Sequence, residues 1–378
     1  MTDFANYKLR NMKCKITAFR IFVLIGTILF CIPEFIQTPF KILCLLILNI
    51  ITIRYVKITL KLLTLILSII IITSFKLYIK TFDFSILIIL LSIIPIYCFS
   101  RLNFRISKER QYNLKVYMSL WMLCMIIQLM IYRYEGRPSL SYEINQSGSI
   151  LFLFYILSRV VRFRIGIIFV LLASVLLLSR LLVLCIIIYE IFNRINKLSC
   201  VKNLPINYTS LVVGSFIFIS IFSSWFTISM SGNIVDGSNS FSRMTSVNDG
   251  SNYLRFKVNA QLISNLLSNG DDELYIKGYG DLADSQIYKT TYWQMPHNEI
   301  YKGIAQFGLL FVVMCFFISK KGFDKYVNAS NLPIFLSLVV YTLILWVRFT
   351  VFPSLEMIYI LFLLQLNNIK HKYEVTIR

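Results

Sequence analysis

The chain is expected to fold as an all-α polytopic membrane protein with about 12 transmembrane helices, each crossing roughly 30 Å of hydrocarbon. Three observations carry that expectation. Of the 378 residues, 57% are hydrophobic and 15% charged, with a mean hydropathy of +0.71. Soluble globular chains hold about 45–50% apolar and about 25% charged residues. The apolar residues also gather into separate runs, near 20–37, 40–53, 58–75, 84–100, 116–132, 148–161, 165–179, 180–193, 208–229, 303–319, 333–352 and 354–369. Finally, Lys and Arg are distributed unevenly between alternate connections, as they are when basic loops stay on the cytoplasmic side.

The first run follows a basic head, Lys8, Arg10, Lys13, Lys15 and Arg20. No small-residue cleavage site follows Ile21 to Cys31, so this run reads as an uncleaved first helix rather than a removed signal. Several later runs are shorter than the roughly 20 residues that a full crossing needs. With the N-terminus inside, 25 of the 38 Lys and Arg fall on the inner side and 13 on the outer, with Lys76 and Lys80 the exception among short loops. The parity requires residues 165–193 to turn at Ser179-Arg180 instead of running on as one helix. Both termini are then cytoplasmic. The expected organisation is helices 1–9 over residues 1–229, a large extracytoplasmic loop over 230–302, and helices 10–12 with a cytoplasmic tail over 303–378.

Within the loop, Leu254, Val258, Leu262, Ile263, Leu266 and Leu267 repeat with helical period and predict an amphipathic helix over Tyr253 to Leu267. A Gly/Ser/Asn-rich stretch, Gly232 to Gly250, precedes it, and Gly278-Tyr279-Gly280 follows as a turn.

Many chemistries are excluded by what is missing. There is no Walker loop, dinucleotide glycine pattern, HExxH or paired CxxC, and the eight cysteines show no ligand spacing. The two histidines, His297 and His371, do not make a metal site. The acids Asp271, Asp272 and Glu273 read as a solvated turn, so no metal and no cofactor is expected. The formal charge of +20 belongs to basic membrane loops and implies no nucleic-acid partner.

The informative polar groups face outward near the membrane: Arg180 at the turn, Arg255 on the amphipathic helix, and His297-Asn298 before the tenth run. Arginine offers a permanent charge and a fork of donors that matches phosphate. Histidine exchanges a proton near neutral pH. Each also has a plainer reading. Arg180 can snorkel to head groups, Arg255 can be an ordinary helix charge, and His297 can anchor the helix after it.

Leu178-Ser179-Arg180-Leu181-Leu182, Asn252-Tyr253-Leu254-Arg255, Lys277-Gly278-Tyr279-Gly280 and Pro296-His297-Asn298-Glu299-Ile300, with Gly308 beyond, resemble the O-antigen ligase and polymerase superfamily over roughly residues 175–315. The resemblance implies a GT-C-type glycosyltransferase bundle in a bacterial inner membrane. Its donor would be an oligosaccharide on undecaprenyl diphosphate, polymerised into O-antigen or capsular polysaccharide at the outer face, beside a chain-length regulator and a flippase. Arg180 and Arg255 would bind the diphosphate, and His297 would take the acceptor proton or orient its hydroxyl. Asn298, Glu299, Tyr253, Gly278, Gly280, Tyr292 and Trp293 would form the substrate-binding set. The alternatives are an O-antigen ligase acting on lipid A core, or a lipid-linked sugar transporter or flippase.

Overall fold

The computed structural model describes residues 18–55, 60–78, 84–99, 108–134, 136–141, 144–196, 207–230, 250–268, 272–282, 285, 288–289, 292, 295–345 and 347–376. The helices in chain order are α1 (Ala18–Cys31), α2 (Glu34–Tyr55), α3 (Leu60–Tyr78), α4 (Phe84–Phe99), α5 (Lys108–Ile131), α6 (Ile144–Val161), α7 (Arg164–Leu177) and α8 (Arg180–Ile195). They continue as α9 (Tyr208–Met230), α10 (Gly250–Leu267), α11 (Asp272–Tyr275), α12 (Glu299–Phe307), α13 (Leu309–Phe323), α14 (Leu332–Ile344) and α15 (Leu355–Thr376). Between α5 and α6 a small antiparallel hairpin pairs β1 (Arg133–Tyr134) with β2 (Arg137–Pro138) through Gly136, whose φ is +77°.

Residues at the breaks explain where the helices stop. Pro33 lies between α1 and α2, and Gln37 turns its amide back to donate to Ile28 O, Leu29 O and Ile32 O, which are otherwise orphan carbonyls at the end of α1. Leu178, in the left-handed region at φ 50°, ends α7, and Ser179 then caps α8 by accepting from Leu182 N. Gly308, at φ +84°, separates α12 from α13; a side chain there would meet the Ile276 carbonyl oxygen at 2.6 Å.

One hydrophobic core joins most of these elements. The face of α15 from Leu355 to Leu364 is almost wholly buried and packs on α4 and α6, while α8 packs on α14 and α6. Polar ties cross the interfaces. Arg159 on α6 pairs with Glu190 on α8, to which Tyr155 also donates at 2.6 Å. Lys41 on α2 pairs with Glu356 on α15 at 2.6 Å.

This architecture corrects the twelve-span expectation. Among the described residues three helices are long and apolar enough to cross a membrane, Glu34–Thr52, Arg110–Ile131 and Tyr208–Ser229. Seven further helices contribute apolar stretches of 10–17 residues among the described ones. The physical reason is that a core helix and a spanning helix draw on the same residues. α4 is apolar because Ile86, Ile89, Ile93 and Ile96 pack into protein, and at 16 residues it is short of a crossing. The run expected near 333–352 is helical only to Ile344, and residues 347–354 are irregular and mostly buried. The GT-C-type bundle, the O-antigen polymerase with its ligase and transporter alternatives, and the multi-pass inner-membrane localisation with both termini cytoplasmic all presupposed the larger span count. They are set aside with it.

The three long helices carry their apolar residues outward. Val116, Leu120, Leu123, Ile127 and Met130 form an exposed stripe on α5, and Val213, Ile217, Ile221, Trp225 and Ile228 form one on α9. Only 22–33% of the most apolar stretch of each of the three is buried inside the fold.

Candidate functional site

The short helix α12 organises the region where the sequence placed its candidates. Asn298 caps it: Oδ1 accepts from Ile300 N at 2.8 Å and Tyr301 N at 3.2 Å, while Nδ2 donates to Leu343 O at 2.8 Å. Glu299, fully buried, faces the irregular segment after α14. It accepts from Val351 N at 3.0 Å and Phe352 N at 2.8 Å through one oxygen, and from Thr350 N and Oγ1 at 3.4 and 3.1 Å through the other. Burial pushes its carboxyl up to about 7, against those four donors, which favour the anion. Glu299 is thereby committed to holding residues 350–352.

The opposite end of α12 is closed by the glycine turn. Tyr279 N donates to Ala305 O at 2.8 Å and Gly280 N to Gln306 O at 3.1 Å. Gly278, at φ +65°, has no room for a side chain, since a Cβ would meet the Gln306 carbonyl carbon at 2.5 Å. Lys76 from α3 completes the closure by donating to Phe307 O and Lys277 O, each at 2.7 Å, from a position only 2% exposed. A cation at a helix C-terminus meets both the orphan carbonyls and the negative end of the dipole.

Beside this closed frame lies an open one. His297, just ahead of the Asn298 cap, is partly buried, and the charges acting on it are Arg255 from α10 and Lys302 from α12. Burial, then Arg255, then Lys302 lower its pKa to about 4, so at neutral pH it is an uncharged imidazole. Arg255 is half-buried, and its Nε is enclosed with no hydrogen-bond partner among the described residues. α10 is fixed in place by Phe256, which packs edge-on to Phe222 of α9 with ring centroids 5.2 Å apart, and by buried Val258 and Leu262. Such a site, with an arginine, a lysine and a neutral imidazole in a partly desolvated setting, favours an anion that brings its own hydrogen-bond acceptors.

Of the residues singled out from sequence, the fold brings together Arg255 and His297, with Asn298 and Glu299 adjacent but turned into the frame. Gly278 and Gly280 lie at the far end of α12. Tyr292 is buried, its hydroxyl accepts from Asn265 Nδ2 at 2.8 Å, and its ring stacks on Tyr288 with centroids 5.1 Å apart. Tyr253 is partly exposed, with the Lys257 ammonium 5.9 Å from its ring centroid. Arg180 is exposed at the first position of α8 and is not among the charges acting on His297. Trp293 lies outside the described residues, as do Asp271 and the stretch 231–249.

Two residues that matter here were missed from sequence. Lys302 was counted as the last residue of the outer loop, because the next helix was expected to start at 303, four residues late. Lys76 did leave a signal, as an exception to the distribution of basic loops. No family model, no curated protein and no solved structure matches the chain. The resemblance read from the four short motifs therefore has no support from any of these comparisons, and their residues have the local roles just described.

Proposed function

We propose that the chain binds a phosphate-bearing, lipid-borne ligand between Arg255, His297 and Lys302 and transfers a group from it. The observation that carries this reading is the half-buried guanidinium of Arg255, whose enclosed Nε lacks a partner among the described residues, beside an imidazole held neutral by burial and by the charges of Arg255 and Lys302. A diphosphate supplies an acceptor for that Nε and negative charge beside the two cations. The exposed apolar stripes of α5 and α9 support a bilayer as the surrounding partner and a lipid as the carrier.

The chemistry follows from the charges. Bound diphosphate offsets Arg255 and Lys302, so the imidazole of His297 regains basicity at the moment a substrate is present. An acceptor hydroxyl then attacks the carbon that bears the diphosphate. Its proton passes to His297, the carbon–oxygen bond breaks, and the charge that develops on the departing diphosphate is met by Arg255 and Lys302. A glycosyl group on undecaprenyl diphosphate is the donor to test first. Detergent-purified protein should bind undecaprenyl diphosphate and release it from the lipid-linked sugar. Arg255→Ala should weaken binding about tenfold or more, the worth of a charge-assisted hydrogen bond. Equal binding by wild type and Arg255→Ala would overturn the reading.

A further inference from the structure

Of the six cysteines among the described residues, Cys44, Cys98, Cys185 and Cys315 are buried, while Cys31 and Cys124 are partly exposed. Those two stand 93 positions apart in the chain, yet the fold sets their thiols in hydrogen-bonding contact. Cys31 is the last residue of α1, and Cys124 lies two turns before the end of α5. Contacts on either side hold the thiols in register. One turn before the pair, Trp121 Nε1 donates to Thr27 Oγ1 at 3.1 Å, and its ring lies so close to Gly26 that a Cβ there would meet it at 2.4 Å. Phe30 packs at the same crossing, its ring centroid 5.4 Å from that of Trp121. Just past the pair, Gln128 Nε2 donates to Cys31 O at 2.8 Å. Trp121, Cys124 and Gln128 recur at helical spacing on one face of α5, as Thr27 and Cys31 do on α1, so the two helices advance side by side through the pair.

Two thiols in contact, reachable from the surface and fixed by neighbours on both sides, have the placement that a disulfide needs. We infer that Cys31 and Cys124 form a reversible disulfide that fastens α5 to α1, with an external disulfide compound as the oxidant. The exchange runs in two steps. The Cys124 thiolate attacks one sulfur of the external disulfide, and the first thiol leaves. Cys31 then gives up its proton, attacks the Cys124 sulfur and displaces the second thiol. One Sγ–Sγ bond forms as the external one breaks. The protein loses two electrons to the oxidant, and the protons of Cys31 and Cys124 end on the two released thiols. Cys124 goes first because burial, then the hydrogen bond to Cys124 and the charge of Cys124, push the Cys31 thiol up to about 12. Closure within one chain offsets the small thiolate fraction of Cys31. The bond matters for α5 because only 33% of the most apolar stretch of that helix is buried. α1, by contrast, is anchored in the core, where Phe22 stacks on Tyr359 of α15 with ring centroids 4.9 Å apart.

The experiment treats the full chain in detergent with hydroxyethyl disulfide in mildly alkaline buffer, blocks the remaining thiols with a maleimide and maps the cysteines by mass spectrometry. Wild type should yield a peptide linked through Cys31 and Cys124, which dithiothreitol takes apart. Cys31→Ser lacks the second thiol and should trap Cys124 as a mixed disulfide with mercaptoethanol. Oxidation should raise the Tm of wild type, since the bond closes a long loop, and should leave that of Cys31→Ser in place. A folded wild type that yields no linked peptide, or whose Tm falls on oxidation, would overturn the inference. The readout uses no ligand of the Arg255 cluster, so it does not depend on the function proposed for that site.

Discussion

His297 and Glu299 are two residues apart, yet the regions around them handle charge in opposite ways. Glu299 sits in a closed frame where each carboxylate oxygen accepts two hydrogen bonds, and the backbone of residues 350–352 depends on it. His297 sits in an open one, where Arg255 and Lys302 both act on the imidazole and the Arg255 Nε is enclosed without an acceptor among the described residues. The difference teaches how to separate structural from functional polarity in this chain. A buried polar group whose bonds are complete stabilises the fold, whereas a group with unmet capacity is poised for a ligand.

The sharpest way to break this comparison is to empty the closed frame. Glu299→Leu keeps the volume but leaves the Thr350, Val351 and Phe352 amides without their acceptor. Each buried donor left unpaired costs about 1–3 kcal/mol, so a loss of roughly 3 kcal/mol or more is expected. Thermal unfolding in detergent, followed by helical circular dichroism, should show a large drop in Tm. A Tm within error of wild type would move Glu299 out of the structural class.

A smaller effect is expected at the other end of α12. Lys76→Met retains the stem and removes the ammonium from the Phe307 and Lys277 carbonyls, at a cost of about 1–3 kcal/mol. Hydrogen exchange should speed up at Tyr279 and Gly280, whose amides bond to the same helix end. Unchanged exchange there would show that the glycine turn closes α12 without the lysine.

The same contrast explains how far the sequence could be read. Helices at 208–229 and 253–267 are legible because their apolar period is local, and Gly250–Leu267 buries Val258 and Leu262 from that set. The number of spans is not legible, because Ile89 and Ile93 buried against protein look the same in sequence as Leu120 and Leu123 facing outward. Gly278-Tyr279-Gly280 is readable as a turn, but its task, closing α12 from outside, depends on hydrogen bonds to residues 26 positions further along the chain. His297 and Arg255 are 42 positions apart, so their shared electrostatics belongs to the packing of α10 near α12. Glu299 is harder still, since its partners at 350–352 lie in a stretch that hydropathy assigned to a span.

In the open frame, the expected effect is a change in titration rather than in folding. With Arg255→Ala, the pKa of His297 should rise from about 4 toward its ordinary 6.5, because one of the two cations that depress it is gone. Saturating wild type with inorganic diphosphate should also raise it, through added negative charge. Imidazole proton resonances followed by NMR during a pH titration report both, with His371→Gln as the background to leave a single histidine. No movement in either case would mean that burial alone sets the value.

The smallest net effect is on stability against pH, because the two frames oppose each other. Glu299 has its pKa raised by folding, from 4.5 to about 7, so the folded state holds the extra proton in that interval. Its contribution is full below 4.5 and is lost as pH rises through 7. His297 has its pKa lowered, from 6.5 to about 4, so here the unfolded state holds the extra proton. That contribution is full above 6.5 and is lost as pH falls through 4. Between 4.5 and 6.5 the two slopes cancel, and wild-type Tm should be nearly level as far as these two groups set it. His297→Gln removes one slope and leaves the other, so its Tm should fall steadily from pH 4.5 to 7. A level variant beside a wild type whose Tm rises with pH across that interval would show that Glu299 stays ionised throughout, held by its four hydrogen bonds against the cost of burial.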